Sequence, residues 1–239
     1  MQKKESQKKD SKKTGPEKKL QKEEQRKKEL ALDVISRLKK EYPGAECTLD
    51  YDEAWKLLVS VRLAAQCTDA RVNVVVEKLY EKFPDVEALA AAGPEEIEEI
   101  VKPCGLGHSK ARDISACMRM LRDQYDGKVP DDFDALLTLP GVGRKSANLI
   151  MGDVFGKPAI VTDTHCIRLT NRIGLVDGIK EPKKVEMALW KIFLRRKAMI
   201  SATGWSFTDA LYAPRGRIPS ATGAVLWISA GKTAYNISA

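Results

Sequence analysis

The sequence has no long apolar run of the kind that forms a membrane-spanning helix or a secretory signal. No apolar segment approaches the roughly 18 residues of a membrane-spanning helix. The first thirty residues also lack the apolar stretch of a secretory signal. These absences predict a cytosolic location and make membrane transport and secretion poor candidates for the function.

Cysteine is scarce, odd in number and scattered. The five cysteines form no C-x-x-C pair, so neither a disulfide framework nor a zinc site is indicated, and no metal site is predicted. We expect reduced, mostly buried thiols. The five are Cys47, Cys67, Cys104, Cys117 and Cys166.

Basic residues outnumber acidic ones at the two ends of the chain, and the net charge of +8 originates there. Residues 1–29 carry a net charge of +6, and residues 194–239 carry +5, with Asp209 as their one acid. Residues 30–193 therefore carry −3. The basic composition does not by itself make the body of the protein a nucleic-acid binder.

Residues 1–28 have almost no apolar side chains. Such a segment cannot bury enough surface to offset chain entropy, which predicts a disordered basic tail. Its role is either solubility or non-specific attraction to phosphate.

Alternating strand patterns are also missing, whereas apolar residues recur at helical spacing. The first helical pattern runs from about Glu29 to the stop at Pro43 and Gly44. The sequence therefore predicts an all-α fold of short helices and tight turns. Further helices are expected within 52–69, 70–85, 93–105, 109–125, 130–143 and 183–194.

The segment "LPGVGRKSANLI" (139–150) predicts two helices joined by a glycine turn, a helix-hairpin-helix. Glycines permit positive φ and close approach of another backbone. Amides at the following helix N-terminus can hold a phosphate oxygen. A nucleotide P-loop is disfavoured, since Arg144 separates Gly143 from Lys145 and no strand precedes. An ordinary glycine turn is the plainer alternative.

Lys145 follows this turn, where Arg144 and the helix dipole both favour loss of its proton. A neutral amine is a nucleophile and can form a Schiff base. The alternatives are a phosphate contact or a solvated side chain. In "VTDTHCIRLTNRIG" (161–174), Asp163 starts a short helical run; it is either a helix N-cap or a carboxylate that faces Lys145 across a cleft.

Together with "LLVSVRLAAQCTDARVN" (57–73) and "CGLGHSKA" (104–111), these segments resemble the endonuclease III family of DNA glycosylase/AP lyases. The resemblance spans residues 30–193 and implies two helical domains that flank a DNA-binding cleft. A six-helix domain with the hairpin would cover 48–158. The second domain would combine 29–47 with 159–193.

The resemblance also implies a bifunctional base excision repair enzyme. Lys145 would be the nucleophile and Asp163 the essential carboxylate. Gln66 and Leu106 would enter the duplex where the damaged base has left. The expected DNA-binding residues are these two and Leu139, Gly141, Gly143, Arg144 and His165.

The implied partner is double-stranded DNA with a damaged base, most simply an oxidised pyrimidine, or with an abasic site. A monomer associated with the nucleoid is expected. Helix-hairpin-helix units also serve as non-catalytic DNA-binding modules, which leaves that function as an alternative. An inactive, truncated or frameshifted family member is a third possibility.

The family usually ends with four cysteines that hold a [4Fe–4S] cluster, but this chain has no cysteine after Cys166. As written, therefore, no cofactor is predicted. A reading frame shifted by two bases can place cysteine codons across four junctions, spaced C-x7-C-x2-C-x5-C. The junctions are Tyr212/Ala213, Ser220/Ala221, Gly223/Ala224 and Ser229/Ala230. We therefore interpret 194–239 as an atypical, frameshifted segment.

Overall fold

The computed structural model describes residues 15–41 and 47–193, and every regular element in this part of the chain is a helix. The all-α prediction is confirmed. The elements are α1 (Gly15–Glu41), α2 (Ala54–Leu63), α3 (Asp69–Lys82), α4 (Val86–Ala91), α5 (Pro94–Val101), the 3-10 helix η1 (Lys102–Cys104), α6 (Gly107–Tyr125), α7 (Phe133–Thr138), α8 (Arg144–Asp153), α9 (Thr164–Arg172) and α10 (Pro182–Phe193).

The helices pack around two separate apolar clusters. The first cluster is built from residues between Leu49 and Ala159, which belong mainly to α2–α8. This segment contains seven α-helices where six were expected, two of them only six residues long. The short α4 lacks the several turns of apolar periodicity that would have revealed it in the sequence.

The second cluster brings together distant parts of the chain. Val34 and Leu38 of α1 pack with Val185 and Leu189 of α10, and residues of α9 complete the cluster. The predicted second domain, 29–47 with 159–193, draws on the same segments and stays a proposal in its exact bounds.

The expectation of disorder is wrong for residues 15–28, which form the first half of α1. This half is exposed, but lysine, glutamate and glutamine are good helix formers, and it continues a segment already held by packing. Side-chain pairs add support, among them Arg26 with Glu23 at 2.8 Å and Lys27 with Asp177.

Among the described helices, none is both long and apolar enough to cross a membrane. The atypical segment predicted for 194–239 and the first fourteen residues of the tail lie outside the described residues.

Candidate active site

The predicted hairpin forms between α7 and α8. The amide of Val142 donates to the carbonyl of Leu139 at 3.1 Å, which closes the turn. Gly141 adopts φ +76°, and a Cβ there would lie 3.0 Å from both Arg62 Cδ and Asp113 Cβ. Glycine is therefore needed at position 141 for its conformation and for the close packing beneath it.

An ion pair supports the turn from below. Arg62 of α2 donates through Nε to Asp113 Oδ2 of α6 at 2.9 Å, and both side chains are mostly buried. The pair ties α2 to α6 directly under Gly141. The hairpin therefore packs against a pair of side chains that hold each other in place.

Gly143 has a different role from the one expected. Its φ of −103° is open to any residue, so it does not supply a positive φ. It is the N-cap of α8, and a Cβ there would meet nothing within 4 Å. The glycine leaves open space in front of the helix N-terminus, where Lys145 lies exposed in the first turn.

Two of the predicted DNA-binding residues have structural partners. Leu139 is only 2% exposed and belongs to the first apolar cluster, so its side chain is unavailable to DNA. Arg144 donates to Glu186 from Nε at 2.9 Å and from Nη2 at 2.6 Å, and its guanidinium lies 4.9 Å from the centre of the Phe133 ring. This partner lies 42 residues further along the chain, and the expected role of Arg144 in DNA binding stays a prediction.

A buried amide connects the helix of Lys145 to the segment that leads to Asp163. Asn148 donates to the carbonyl of Arg144 at 3.0 Å and accepts from the amide of Ile160 at 3.3 Å. Because Ile160 lies three residues before Asp163, this side chain fixes both predicted catalytic residues to one framework.

Asp163 is the N-cap of α9, as one of the two alternatives proposed. Its Oδ1 accepts from the amide of Cys166 at 2.7 Å. A carboxylate has two oxygens, so capping by Oδ1 is compatible with a catalytic role for the group. His165, partly buried in the first turn of α9, has its Nδ1 3.3 Å from Nη2 of Arg168.

Gln66 and Leu106 share an unusual backbone conformation. Gln66 has φ +58° and Leu106 has φ +52°, values that non-glycine residues rarely adopt. Both residues are exposed, Leu106 to 57%. A large apolar side chain presented to solvent on a strained backbone favours an interaction role over a packing role.

Comparison with known proteins identifies the family. A model described as "HhH-GPD superfamily base excision DNA repair protein" matches residues 59–195. The chain belongs to this superfamily. Its relatives include endonuclease III of Synechocystis sp., 44% identical over 70% of this chain and 76% of the relative, and endonuclease III of Escherichia coli K12, 38% identical over 67% and 76%.

Solved structures of HhH-GPD relatives agree with the fold. A trapped endonuclease III–DNA covalent intermediate is 39% identical, with a TM-score of 0.64 over 70% of this chain and 79% of that one. A non-covalent endonuclease III–DNA complex is 35% identical, with a TM-score of 0.69 over 81% and 90%. The chain is a base excision repair DNA glycosylase and AP lyase of the endonuclease III type.

The residues present do not fit the iron–sulfur cluster of the family. A [4Fe–4S] cluster needs four thiolates, and the sequence has no cysteine beyond Cys166. Within the described residues, no three side chains of the metal-binding types come together.

Sequence reasoning missed Glu186 and Asn148. Glu186 interrupts the apolar face of α10, and a buried acid of this kind calls for a cationic partner, which was a usable signal. Asn148 gave no signal, since polar residues are common in helices. A cavity of about 800 Å³ lies elsewhere, lined by residues of α1 and α10 such as Lys27 and Lys191, and includes none of the predicted site residues.

Proposed function

We propose that this enzyme removes oxidised pyrimidines from double-stranded DNA and cuts the strand 3′ to the resulting abasic site, with Lys145 as nucleophile. The observation that carries the proposal is the exposed Lys145 in the first turn of α8, directly after the open space at Gly143. Asn148 and Arg144 hold that turn, and Asn148 also holds the segment before Asp163.

The target nucleotide must leave the stack, because C1′ is inaccessible inside a duplex. The Lys145 amine forms a bond to C1′ as the glycosidic bond breaks, and the base departs with the bonding electrons and takes up a proton. The amine loses a proton, the sugar opens to an imine, and O4′ is protonated. Loss of a C2′ proton then expels the 3′ phosphate by β-elimination.

Asp163 stabilises the positive charge that develops on the sugar and helps Lys145 lose its proton. Its cap hydrogen bond from Cys166 fixes the carboxylate in one orientation, so little reorganisation is needed during the reaction. The Asp163 side chain thus caps α9 and also takes part in the reaction.

Gln66 and Leu106 fill the gap that the flipped nucleotide leaves, as a polar plug and an apolar wedge. Gly141 and Gly143 let the hairpin backbone approach a phosphate, a contact that positions DNA without reading its sequence. His165 contacts the DNA near Asp163. We propose that the protein acts on duplex DNA as a monomer associated with the nucleoid.

Borohydride trapping tests this proposal. Duplex DNA with an abasic site is incubated with the protein and borohydride, which reduces the imine to a stable covalent adduct. Wild-type protein should form the adduct, and Lys145→Gln should not, while its DNA binding stays within a few-fold. Lys183→Gln is the matched control, because Lys183 is also an exposed second residue of its helix, α10.

If well-folded wild-type protein gives no adduct but binds DNA, the chain is a non-catalytic helix-hairpin-helix module. If Lys145→Gln still forms the adduct, another amine is the nucleophile. Duplexes with thymine glycol or with an intact base then test the preference for oxidised pyrimidines.

A further inference from the structure

Lys110 is an ammonium group in the interior, and the proposed chemistry does not use it. Its side chain is 0% exposed, which is rare for lysine. Nζ donates to the carbonyl of Leu63 and to the carbonyl of Cys104, each at 2.8 Å. Burial lowers the pKa of the ammonium. A methionine would occupy similar space without this cost, so the two hydrogen bonds are what lysine adds.

Both acceptors are the last residues of helices. Leu63 ends α2, and Cys104 ends η1. Carbonyls at helix C-termini have no partner inside the helix and carry partial negative charge, so a cation stabilises them. One ammonium therefore caps two helices that converge on it.

The two capped helices lead directly into the exposed residues of unusual conformation. Gln66 comes three residues after Leu63, and Leu106 comes two residues after Cys104. Leu106 is also the N-cap of α6, the helix that contains Lys110. The carbonyl of Leu106 accepts from the amide of Lys110 at 3.0 Å. The loop of Gln66 begins after Leu63, and the loop of Leu106 begins after Cys104. The Lys110 side chain therefore contacts the residue at which each loop begins.

We infer that Lys110 is a positioning residue that holds the loops of Gln66 and Leu106 in one arrangement, so that both side chains enter damaged DNA together. This inference rests on the gap-filling role proposed for those two residues. Neither positive-φ backbone is favourable on its own, and a fixed starting point keeps both loops in that conformation before DNA binds.

Arg119 provides a control for the lost hydrogen bonds. It lies on the same helix and also donates to two carbonyls, those of Ala90 at 3.1 Å and Ala92 at 3.4 Å. These carbonyls lie at the end of α4, which carries neither loop. Arg119 is exposed whereas Lys110 is buried, so Arg119→Met controls for the loss of two side-chain-to-carbonyl hydrogen bonds on α6 and leaves the residues at which the two loops begin unchanged.

The test compares wild type, Lys110→Met and Arg119→Met in two assays. The first measures Kd for duplex with a tetrahydrofuran abasic analogue and for undamaged duplex. The second measures borohydride trapping on a single strand with an abasic site, where there is no gap to fill. Lys110→Met should weaken damaged-duplex binding at least tenfold and change the other two quantities less than twofold. Arg119→Met should change none of them by more than twofold.

Leu106→Ala alone should weaken damaged-duplex binding as much as Lys110→Met does. In the double variant it should weaken binding by less than a further twofold, because Lys110→Met has already displaced the loop of Leu106. Unchanged damaged-duplex binding in Lys110→Met, or an equal loss in all three quantities, would overturn the inference. If Lys110→Met does not fold, Lys110→Gln, which keeps a donor, takes its place. If neither folds while Arg119→Met does, Lys110 serves the core as a whole and the inference is wrong.

The two assays also separate this inference from the proposed chemistry. Failure of the wild type to trap on the single strand would count against Lys145 alone. Selective binding to the tetrahydrofuran duplex needs no covalent step, so it still tests Lys110.

Discussion

Arg144 and Glu186 form a two-pronged ion pair that joins the first residue of α8 to the buried face of α10. The Arg144 side chain is 35% exposed, whereas that of Glu186 is only 4% exposed. Because Lys145 follows Arg144 directly, the position of the proposed nucleophile depends on a helix of the other apolar cluster.

Because Glu186 is buried and Arg144 is partly exposed, we expect the two mutations to lower the free energy of unfolding by different amounts. Arg144→Met leaves a buried carboxylate without its cation and should lower the free energy of unfolding by about 3 kcal/mol. Glu186→Leu leaves an arginine that can turn to water, so its cost should be about 1 kcal/mol. Urea unfolding measures both. An equal loss in the two variants would mean that the burial of Glu186 does not decide the energetics.

The same pair bears on DNA binding. If Glu186 holds Arg144, Arg144→Met should change the slope of log K against log salt by well under the value of about 0.9 expected for each phosphate contact. Titrations of undamaged duplex at several salt concentrations measure the slope. A change close to that value would mean that Arg144 contacts a phosphate.

Asp163→Asn should separate capping from catalysis. Asparagine caps helices as well as aspartate does, so the melting temperature should change little, while base release slows by about a hundredfold or more. Asp163→Ala should in addition lose about 1 kcal/mol of stability.

Asp85→Ala is the matched control for Asp163→Ala, because Asp85 caps α4 through the same kind of bond, from Ala88 N at 2.7 Å. It should lose similar stability and no activity. If Asp163→Asn releases base at the wild-type rate, Asp163 is only a helix cap.

Two deletions should show that the two halves of the basic tail contribute differently to stability. Removing residues 1–14, which carry a net charge of +4, should leave the melting temperature unchanged and reduce the salt dependence of DNA binding. Removing residues 1–28 also deletes half of α1 and the Lys27–Asp177 pair. Asp177 is 78% exposed, so water screens the pair and the added loss should stay below about 1 kcal/mol. An unchanged salt slope in both deletions would show that the tail does not contact DNA.

Four of the thiols should resist alkylation at pH 8. Burial raises the pKa of Cys47, Cys117 and Cys166 to about 12 and that of Cys104 to about 11. Their reactive thiolates are therefore a minute fraction at pH 8 and increase as the pH rises towards these values. Iodoacetamide labelling followed by mass spectrometry should modify the partly exposed Cys67 first, and all five cysteines in urea. Rapid labelling of Cys117 in the folded protein would contradict the burial.

The purified protein should be colourless, without the visible absorbance of an iron–sulfur cluster, because the chain lacks the cysteines to hold one. The gene sequence tests the cause. A frame shifted by two bases from about residue 194 should spell four cysteines at the junctions described above. A stop codon before the fourth junction would make the ending a genuine divergence.

The features that the sequence predicts are those formed by residues close together in the chain. The hairpin at Gly141 and the cap at Asp163 follow from neighbours within a few residues. The hairpin was predicted, and the cap was one of the two alternatives given for Asp163. The partner of Arg144 lies 42 residues away, and the carbonyl partner of Lys110 at Leu63 lies 47 residues away. Tertiary packing selects such pairs, so a local pattern can indicate that a buried acid such as Glu186 needs a cation but cannot identify which one.

The start of α1 was missed for a related reason. Composition describes what a segment does alone, and 15–28 alone has too little apolar surface to fold. Its helix extends from Ala31, Val34 and Leu38, whose packing against α10 provides the nucleus. When a charged segment extends a helix that is packed elsewhere along its length, its composition alone therefore predicts a disordered tail.

The joint packing of α1 and α10 has a consequence for synthesis on the ribosome. The first cluster is contiguous in sequence, so it can form as soon as residues 49–159 have emerged. The apolar face of α1 is made earlier, yet its partners Val185 and Leu189 come about 150 residues later. The helix that leaves the ribosome first is thus among the last to be buried, and a nascent chain halted before α10 would expose Val34 and Leu38 to chaperones.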